Sequence, residues 1–180
     1  MRQHLTDAEF EKLRTHIESV PTVENLALLL LIATGMRQSE LVGITAGDFD
    51  DETQSVNVQG KKGSDSGQAP LRPETYARVA RLRGELRRRT LGELLCEGSV
   101  ESQKRVIRRR WDELCRKVLG YTPVGTHGAR HTYAVKLFES GLDTREVQVL
   151  LRHKSIASTA KYLKHVTVER VKPKALKVVG

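Results

Sequence analysis

Residues 127–162 read HGARHTYAVKLFESGLDTREVQVLLRHKSIASTAKY, and the rest of the chain is organised around this segment. His127 and Arg130 are three positions apart at the start of a helical pattern, so both side chains can leave the same helix face. His153 follows at the end of the next amphipathic segment. Tyr162 comes nine residues later, on a short polar helix that gives no apolar reason for an aromatic side chain.

Imidazole, guanidinium and phenol groups in this order can serve an attack on a phosphodiester. The planar fork of an arginine holds the non-bridging phosphate oxygens, and a histidine moves protons near neutral pH. A tyrosine can act as the covalent nucleophile. Each of these residues alone is more often structural, so the interpretation depends on their order and spacing.

Two motifs further upstream extend the pattern. TGMRQSEL supplies Arg37 and Glu40, and GKKG, in a predicted hairpin, supplies Lys61 or Lys62. Together with HGAR, LRH and KY, these motifs make the chain resemble the tyrosine recombinase (phage integrase) family from about residue 5 to residue 162. The family usually has glycine before the second histidine. This chain has Arg152 there, which could add a phosphate contact or shift the helix entry.

In that family, paired arginines carry the charge of the transition state. The resemblance implies that Arg37 and Arg130 neutralise the non-bridging oxygens. Glu40 would orient Arg37, and His153 would add a hydrogen bond to the same oxygens. Because two arginines supply the charge, the resemblance implies no metal ion and no cofactor. The expected product is a 3′-phosphotyrosyl link with a free 5′ hydroxyl, which can be resealed without ATP.

The resemblance assigns proton transfer to other residues. His127 would assist proton transfer at Tyr162, the nucleophile, and a hairpin lysine would protonate the departing 5′ oxygen. We assign that lysine to Lys61, which lies twenty-four residues after Arg37 and directly follows a glycine. Lys62 is the alternative, and a solvated turn lysine is the ordinary interpretation of either.

Hydrophobic periodicity predicts a mainly α chain with a small antiparallel β-sheet, an α+β domain, and the resemblance specifies the tyrosine recombinase catalytic-domain fold. Thr6 and Glu9 predict a capping box at the first helix. Residues 23–34 are apolar nearly all round, as in a buried central helix. A strand at 55–59 could return at 69–71. Further helices are predicted at 37–42, 73–89, 101–119 and 127–140. Two more helices are predicted to begin after caps at Asp143 and Ser155. No structure is predicted for residues 91–98.

Two polar features have competing interpretations. Arg37 and Glu40 could form an ordinary surface ion pair, since they are three residues apart on a helix. Residues 48–52 read DFDDE, and clustered carboxylates could bind a metal ion. No further ligand lies at a suitable spacing, which favours a polar turn before a strand.

Positive charge is concentrated in the second half of the chain. Residues 1–77 hold seven Lys or Arg against twelve Asp or Glu, whereas residues 78–180 hold twenty-four against ten. A basic half indicates a polyanionic partner, and double-stranded DNA is the default candidate. The alternative is a merely soluble basic protein.

In the family, the helix before H-x-x-R enters the major groove, so the helix at 101–119 supplies candidate DNA contacts. These are Gln103, Lys104, Arg105, Arg108 and Arg109.

Cysteine usage and hydropathy indicate the compartment. Cys96 and Cys115 give neither a disulfide framework nor a metal-ligand spacing, which fits a reduced cytoplasmic location. The longest apolar run, residues 26–33, is too short to span a bilayer. No signal peptide is recognisable at the N-terminus, where charged residues are interspersed. The sequence therefore predicts a cytoplasmic protein without a membrane partner.

The chain is expected to hold one catalytic domain at 1–166 and a C-terminal tail at 167–180. The family usually has a core-binding domain before the catalytic domain. The sequence is expected to lack it, either as a fragment or as a short recombinase. Because the family exchanges C-terminal segments around a ring of four, we expect a tetramer on DNA, with residues 166–180 docking on a neighbour or folding back.

The motif set favours a site-specific DNA recombinase that integrates, excises or inverts DNA. One alternative is a type IB topoisomerase, which uses the same residues to relax supercoils. The other is a DNA-binding regulator that keeps the fold but does no chemistry. The intact residue set argues against the regulator, and the small size and the LRH spacing favour the recombinase over the topoisomerase.

Overall fold

Helices make up most of the structure, a computed structural model that describes residues 3–61 and 63–163. The helices are α1 (Asp7–Ser19), α2 (Val23–Thr34), α3 (Gln38–Leu41), α4 (Pro73–Val79), α5 (Leu82–Glu85), α6 (Leu91–Leu95), α7 (Val100–Leu119), α8 (Thr126–Glu139), α9 (Thr144–Leu150) and α10 (Ile156–Ala160). The strands are β1 (Phe49–Asp50), β2 (Ser55–Val58) and β3 (Gly67–Pro70). The expected mainly α class with a small antiparallel sheet is confirmed.

The first two helices follow the sequence pattern closely. The Glu9 backbone N–H donates to Thr6 Oγ1, and the Thr6 N–H donates to the Glu9 carboxylate, so the predicted capping box is present. α2 begins and ends at the predicted residues, and eight of its residues are buried, as a central helix requires. It packs against α1, α4, α7 and α8. A bilayer-spanning helix is absent from the described ranges.

Gly35 turns the chain at the end of α2. Its φ of 58° is a left-handed conformation that glycine adopts at no steric cost. A side chain here would collide with the ring of Tyr133 on α8. The chain can therefore pass close to α8 as it leaves α2. A hydrogen bond joins the two segments there, because Gln38 Nε2 donates to Thr126 Oγ1 at 2.8 Å.

α7 is the longest helix of the described residues and confirms the predicted amphipathic pattern. Ser99 caps its start, and the first helical residue is Val100, one position before the expected start at 101. Ile107 and Trp111 are buried on its inner face, and Trp111 Nε1 donates to the Val124 carbonyl at 2.7 Å. This bond fixes the segment that leads into α8.

The sheet is antiparallel, in the order β1–β2–β3. Val56 of β2 lies opposite Phe49 of β1 and Ala69 of β3. The predicted hairpin is confirmed, although β3 starts two residues earlier than expected. β1 was not predicted, because two residues in an acidic segment carry too little alternation to mark a strand.

The acidic segment DFDDE, residues 48–52, contains the whole of β1 and the first residues of the turn after it. Asp50 accepts from the N–H groups of Glu52 and Thr53 at 3.0 and 3.1 Å. Asp51 pairs with Arg83 at 2.7 Å. These carboxylates stabilise a turn and its contact with α5, as the polar-turn interpretation predicts.

The predicted single helix at 73–89 is wrong, because the segment divides into α4 and α5. The N–H groups of Arg81 and Arg83 donate to carbonyl oxygens three positions earlier, the tighter bonding of a 3-10 turn. Val79 and Leu82 flank this turn, and both are buried. Core packing on both sides of the turn thus overrides the continuous helical pattern.

Residues 91–98, for which no structure was predicted, contain α6. Thr90 and Glu93 form a capping box at its start, a signal that the sequence displays as T-x-x-E. The N–H groups of Leu91 and Gly92 donate to the carbonyls of Ile44 and Val42. α6 is therefore bound to the segment that follows α3.

α8, α9 and α10 occupy the predicted C-terminal segments, with Asp143 capping α9. Tyr162 lies two residues beyond α10, and the prediction that this helix carries it is wrong. A second apolar cluster lies apart from the main core and contains Ala134, Phe138, Val147, Leu151 and Tyr162. The predicted docking tail at 166–180 and the alternative hairpin residue Lys62 lie outside the described residues.

Candidate active site

Four of the predicted catalytic residues come together where the loops after α2, β2, α9 and α10 approach α8: Arg37, Arg130, His153 and Tyr162. Hydrogen bonds join Arg130 on α8 to the loop after α2, and Arg37 to the loop after β2. His153 follows α9, and its ring stacks on that of Tyr162 with centroids 6.2 Å apart. An open cavity at this junction is lined by Met36, Arg37, Gln38, Ser39, Lys104, Thr126, His127 and Arg130.

Glu40 is the buried carboxylate that the arginines of this junction share. Arg37 Nη1 donates to it at 3.1 Å and Ser64 Oγ at 2.6 Å. Arg152 Nη2 lies 3.5 Å away and Arg130 Nη1 3.9 Å away. Burial alone would raise the pKa of Glu40, but the Ser64 and Arg37 hydrogen bonds and the nearby charges hold it below its ordinary value. The ionised carboxylate therefore orients a set of guanidinium groups.

This arrangement decides between the two interpretations of the Arg37–Glu40 pair. Arg37 is the residue before α3, and its backbone N–H also donates to the Glu40 carboxylate, at 2.8 Å. The Glu40 side chain has no exposed surface, whereas that of Arg37 is 26% exposed. The surface ion pair considered from the sequence is wrong, because the carboxylate is internal and only the guanidinium reaches the cavity.

Arg130 is buried, with 1% of its surface exposed. Its Nη1 donates to the Gly35 carbonyl and its Nη2 to the Leu151 carbonyl, both at 2.6 Å. Burial, with the positive charge of Arg37, lowers the pKa of Arg130 to about 10, so the guanidinium stays protonated at neutral pH. Two carbonyls at fixed positions orient the planar fork, which suits recognition of a phosphate.

His127 lies in the first turn of α8, three residues before Arg130, and lines the cavity. Desolvation, together with the positive charges of Arg130 and Arg37, lowers the pKa of His127 below its ordinary value. The ring is therefore neutral at pH 7, with one nitrogen that can accept a proton. That protonation state suits the predicted part in proton transfer.

His153 is buried, and its position is fixed from two sides. Its Nδ1 lies 2.8 Å from Thr159 Oγ1, and its backbone forms an antiparallel bridge with Ser64. Burial, with the charges of Arg130 and Arg37, lowers the pKa of His153 to about 4. The neutral ring has one N–H, and with the proton on Nε2 it would accept from Thr159 and donate to a ligand.

Tyr162 is 7% exposed, so the expectation that there is no apolar reason for an aromatic side chain at this position is wrong. Its ring belongs to the second cluster with Phe138 and Leu151. It also meets the ring of His131 edge-on, with centroids 4.7 Å apart. The sequence near Tyr162 gave no sign of this packing, because α8 and α9 supply the cluster rather than its neighbours in α10. The ring is therefore held in place by residues distant in sequence.

His131 is a site neighbour that the sequence analysis did not single out. Its ring contacts Tyr162 on one side and stacks on His4 on the other, with centroids 5.6 Å apart. A signal was present in the sequence: the apolar positions 134, 135 and 138 place position 131 on the same face of α8. All four residues are buried.

Lys61 lies in the loop between β2 and β3, with an exposed side chain. Its backbone N–H donates to Ser64 Oγ at 3.2 Å, and its carbonyl accepts from the Ser64 N–H at 2.9 Å. Arg37 Nη2 donates to the Gly63 carbonyl of the same loop at 3.3 Å. The loop therefore lies beside the arginines, and the choice of Lys61 over Lys62 stays a prediction.

Gln103 is wrongly predicted as a DNA contact, because only 4% of its surface is exposed. Its Nε2 donates to the Gly98 carbonyl at 3.2 Å, and its side chain packs against Gly92. Position 103 lies four residues before the buried Ile107 and thus on the inner face of α7. The same periodicity that predicted the helix indicates this burial.

The other candidate DNA contacts lie outside the main core, and Lys104, Arg108 and Arg109 have acidic neighbours. Lys104 and Arg108 both pair with Glu101, at 2.7 and 3.2 Å. Arg109 lies 3.7 Å from Glu113, and Arg105 is exposed. Ion pairs of this exposed kind are weak, so a phosphate can compete for the arginines. Lys104 also lines the cavity, which connects this helix face to the arginine pair.

The buried His153 makes stability depend on pH. The unfolded chain takes up a proton at the ordinary pKa of 6.5, whereas the folded chain does so only at about 4. Between these values the unfolded state binds more protons, so the free energy of unfolding should fall as pH decreases from 6.5 to 4, by roughly 3 kcal/mol.

Chemical denaturation at several pH values measures this effect, and His153→Gln is its control. The variant cannot titrate at this position but retains a group that can reach Thr159. The difference in the free energy of unfolding between the unaltered chain and His153→Gln should therefore change between pH 6.5 and pH 4. A constant difference from pH 7 to pH 4 would contradict the burial of a neutral His153.

Comparisons with known proteins identify relatives of the whole described region. The model of the Phage integrase family matches residues 3–169. Tyrosine recombinase XerA of Thermococcus kodakarensis is 32% identical over 178 residues, covering 93% of this chain and 60% of the relative. Tyrosine recombinase XerC of Mycobacterium sp. is 36% identical over 155 residues, covering 83% of this chain and 51% of the relative. The chain thus spans about half to three-fifths of the length of these curated relatives.

Solved structures share the fold. A crystal structure of XerA recombinase matches with a TM-score of 0.77 at 21% identity, covering 98% of this chain and 63% of that chain. The XerH site-specific recombinase, bound to its difH substrate in a pre-cleavage complex, matches with a TM-score of 0.73 at 21% identity. That match covers 97% of this chain and 54% of the XerH chain. The predicted catalytic-domain fold is confirmed.

Proposed function

The chain belongs to the phage integrase family, and we propose that it cleaves and rejoins DNA strands at specific sites through a covalent bond between Tyr162 and a 3′ phosphate. Residues 1–166 would form the catalytic domain and residues 167–180 a C-terminal tail. The biological outcome would be integration, excision or inversion of a DNA segment. Relatives named as tyrosine recombinases support this proposal.

One observation carries the proposal: two arginines share a buried carboxylate next to the cavity that His127 lines. Arg37 and Arg130 lie 3.1 and 3.9 Å from Glu40. Tyr162 is held nearby against His153, which itself lies beside the loop of Ser64. Convergent guanidinium groups stabilise the charge that builds on phosphate oxygens in the transition state. A purely structural role would not require cationic side chains at a cavity.

The reaction would proceed by transfer of the phosphoryl group to a phenol. The Tyr162 oxygen attacks the phosphorus while the bond to the 5′ oxygen breaks. The phenol proton leaves with help from neutral His127, and Lys61 gives a proton to the departing 5′ oxygen. Arg37, Arg130 and the His153 ring bind the non-bridging oxygens. Attack by another 5′ hydroxyl on the phosphotyrosine reverses these steps and seals a strand.

Double-stranded DNA is the proposed partner, bound by the basic face of α7. Exposed Arg108 and Arg109 have carboxylate neighbours that are weak competitors for a phosphate. Exchange of both strands between two duplexes breaks four strands, and each break uses one tyrosine, so we propose a tetramer in the synaptic complex. The proposed location is the cytoplasm, which agrees with the free thiols of Cys96 and Cys115.

The two alternative functions are less well supported. A type IB topoisomerase would use the same chemistry on one duplex, but the curated relatives cited above are named recombinases. A regulator without catalysis would not need to keep Arg37, Arg130 and Glu40 in one charged cluster, because burying such charges costs free energy.

A nicked suicide substrate tests the activity. Cleavage near the nick releases a short strand, so the covalent intermediate cannot be resealed and accumulates. The proposed enzyme should give an adduct that survives a denaturing gel, whereas a regulator should give only complexes that dissociate. Relaxation of supercoiled plasmid without strand exchange would instead favour the topoisomerase.

DNA affinity should depend steeply on salt. If α7 and its neighbours neutralise three or more phosphates, the affinity should fall by about tenfold or more between 50 and 200 mM salt. Equilibrium binding to a labelled duplex at several salt concentrations measures the slope. If exposed Arg105 contacts a phosphate, Arg105→Ala should reduce the slope of log affinity against log salt concentration by about one. An affinity that does not change with salt would contradict phosphate-dominated binding.

A further inference from the structure

The described residues of the loop after β2, 59–61 and 63–66, are bound to the arginine cluster at several points. Ser64 Oγ donates to Glu40 Oε1 at 2.6 Å, and the backbone of Ser64 bridges to His153. The N–H of Asp65 donates to the Arg152 carbonyl at 2.9 Å. The loop is therefore attached both to the carboxylate that orients the arginines and to the turn that precedes His153.

The turn of this loop leaves little freedom. A side chain at Gly60 would come within 2.7 Å of backbone atoms of Ser64, Asp65 and Ser66. Lys61 donates its N–H to Ser64 Oγ at 3.2 Å and accepts from the Ser64 N–H at 2.9 Å, so a shift at Ser64 would be transmitted to Lys61.

Arg152, whose carbonyl accepts from the Asp65 N–H, has an unfavourable backbone conformation and a buried charge. Its φ is 56°, a left-handed conformation that costs energy for any residue except glycine. Its side chain is 2% exposed. Nη1 donates to the Leu150 carbonyl at 2.9 Å, and Nη2 lies 3.5 Å from Glu40. Both the backbone strain and the buried charge persist only because neighbouring contacts compensate them.

The direction of the Arg152 side chain decides between its two expected roles. The guanidinium points inward to Glu40, and its aliphatic part lies against Gly67 at the start of β3, where an added side-chain carbon would be 3.4 Å from it. It is therefore an internal link between the turn before His153, the sheet and Glu40. Of the two alternatives for Arg152, the phosphate contact does not fit, because the side chain is 2% exposed.

We propose that Ser64 and Arg152 are positioning residues that fix the lysine loop relative to the arginine pair through the two oxygens of Glu40. Ser64 bonds to one oxygen and Arg152 approaches the other. The inference rests on the proposed function, in which Lys61 protonates the departing 5′ oxygen. Neither residue touches DNA in this proposal, and each acts through the position of Lys61.

Protonation of the leaving group is the step that these residues control. The bond from phosphorus to the 5′ oxygen breaks as the tyrosine oxygen bonds to phosphorus, and the Lys61 ammonium supplies the proton that makes the 5′ hydroxyl. A displaced lysine slows this step. Glu40 keeps both of its hydrogen bonds from Arg37 in the Ser64 and Arg152 variants, so charge stabilisation by the arginines should persist. A sulfur atom in place of the bridging 5′ oxygen removes the need for the proton, because a thiol ionises near pH ~8.5 and leaves readily as a thiolate.

The experiment compares cleavage of two nicked suicide substrates, one with the natural 5′ oxygen and one with a bridging 5′ sulfur. Rates of adduct formation are measured for the full chain and for Ser64→Ala, Arg152→Gly and Lys61→Ala. Each variant should lose about tenfold or more on the oxygen substrate, as a disturbed general acid predicts. On the sulfur substrate each should react within about twofold of the unaltered chain.

Two controls keep the result interpretable. Ser66→Ala removes a hydroxyl from the same loop, where the bond to Gly60 is exposed and water can replace it, so it should react normally on both substrates. Arg152→Gly relieves the left-handed strain, so it should fold even if Ser64→Ala does not, and thermal unfolding checks both.

The outcomes are distinct. An equal loss on oxygen and sulfur would overturn the proposal, because it would place Ser64 and Arg152 in charge stabilisation or in folding. Unchanged rates on the oxygen substrate would overturn it as well. If the unaltered chain forms no adduct on either substrate, the proposed function itself fails, and the inference falls with it.

Discussion

Tyr162→Phe is expected to abolish covalent attachment to DNA while leaving DNA affinity unchanged. The substitution removes one hydroxyl and keeps the ring, which is what packs against His131, His153 and the second apolar cluster. The fold should therefore persist. Without a nucleophile the reaction cannot form its intermediate, so the loss should be complete rather than partial. Denaturing gels measure the adduct, and gel shifts measure binding.

Tyr76→Phe is the matched control for that variant. It removes the same atom from α4, where the hydroxyl donates to Asp51 at 2.7 Å and Asp51 keeps its ion pair with Arg83. This protein should form the adduct at a normal rate. An adduct formed by Tyr162→Phe would show that another group is the nucleophile.

Arg130→Lys should lower the rate of adduct formation by about a hundredfold or more, as does removal of a group that stabilises a developing oxyanion. The guanidinium spans the carbonyls of Gly35 and Leu151 with two nitrogens of one plane. A lysine keeps the charge but has a single nitrogen, so it cannot bind both carbonyls and a phosphate. Single-turnover cleavage measures the rate, and thermal unfolding reports the folded fraction.

Arg37→Lys separates catalysis from folding in this test. The Arg37 side chain is 26% exposed, whereas that of Arg130 is 2% exposed, so its replacement should disturb the core less. A comparable loss of cleavage is expected. Arg83→Lys, in the exposed pair with Asp51, should cleave normally. Near-normal cleavage by Arg130→Lys would exclude a role for its planar fork.

Local signals predicted the helices that depend on them. The Thr6–Glu9 capping box and the apolar run of α2 fix their elements without help from distant residues. The split between α4 and α5 was missed because it depends on how Val79 and Leu82 pack in the core. β1 was missed because its two residues are defined by pairing with β2 rather than by their own pattern.

The site residues could be named from sequence, but their contacts could not. Glu40 and Ser64 are twenty-four residues apart, and nothing in the sequence indicates that they share a hydrogen bond. The direction of Arg152 follows from a left-handed backbone that no local motif announces. Gln103 is the opposite case, since its four-residue spacing from the apolar Ile107 already predicts a position on the inner face of α7.

The central claim is that Tyr162 forms the bond to DNA, and peptide mapping of the trapped adduct tests it most directly. The unaltered chain is reacted with a nicked suicide substrate, digested with a protease and a nuclease, and analysed by mass spectrometry. We predict a single modified peptide with a nucleotide 3′ phosphate on Tyr162. A nucleotide on any other residue, a 5′ linkage, or no covalent peptide at all would contradict the account.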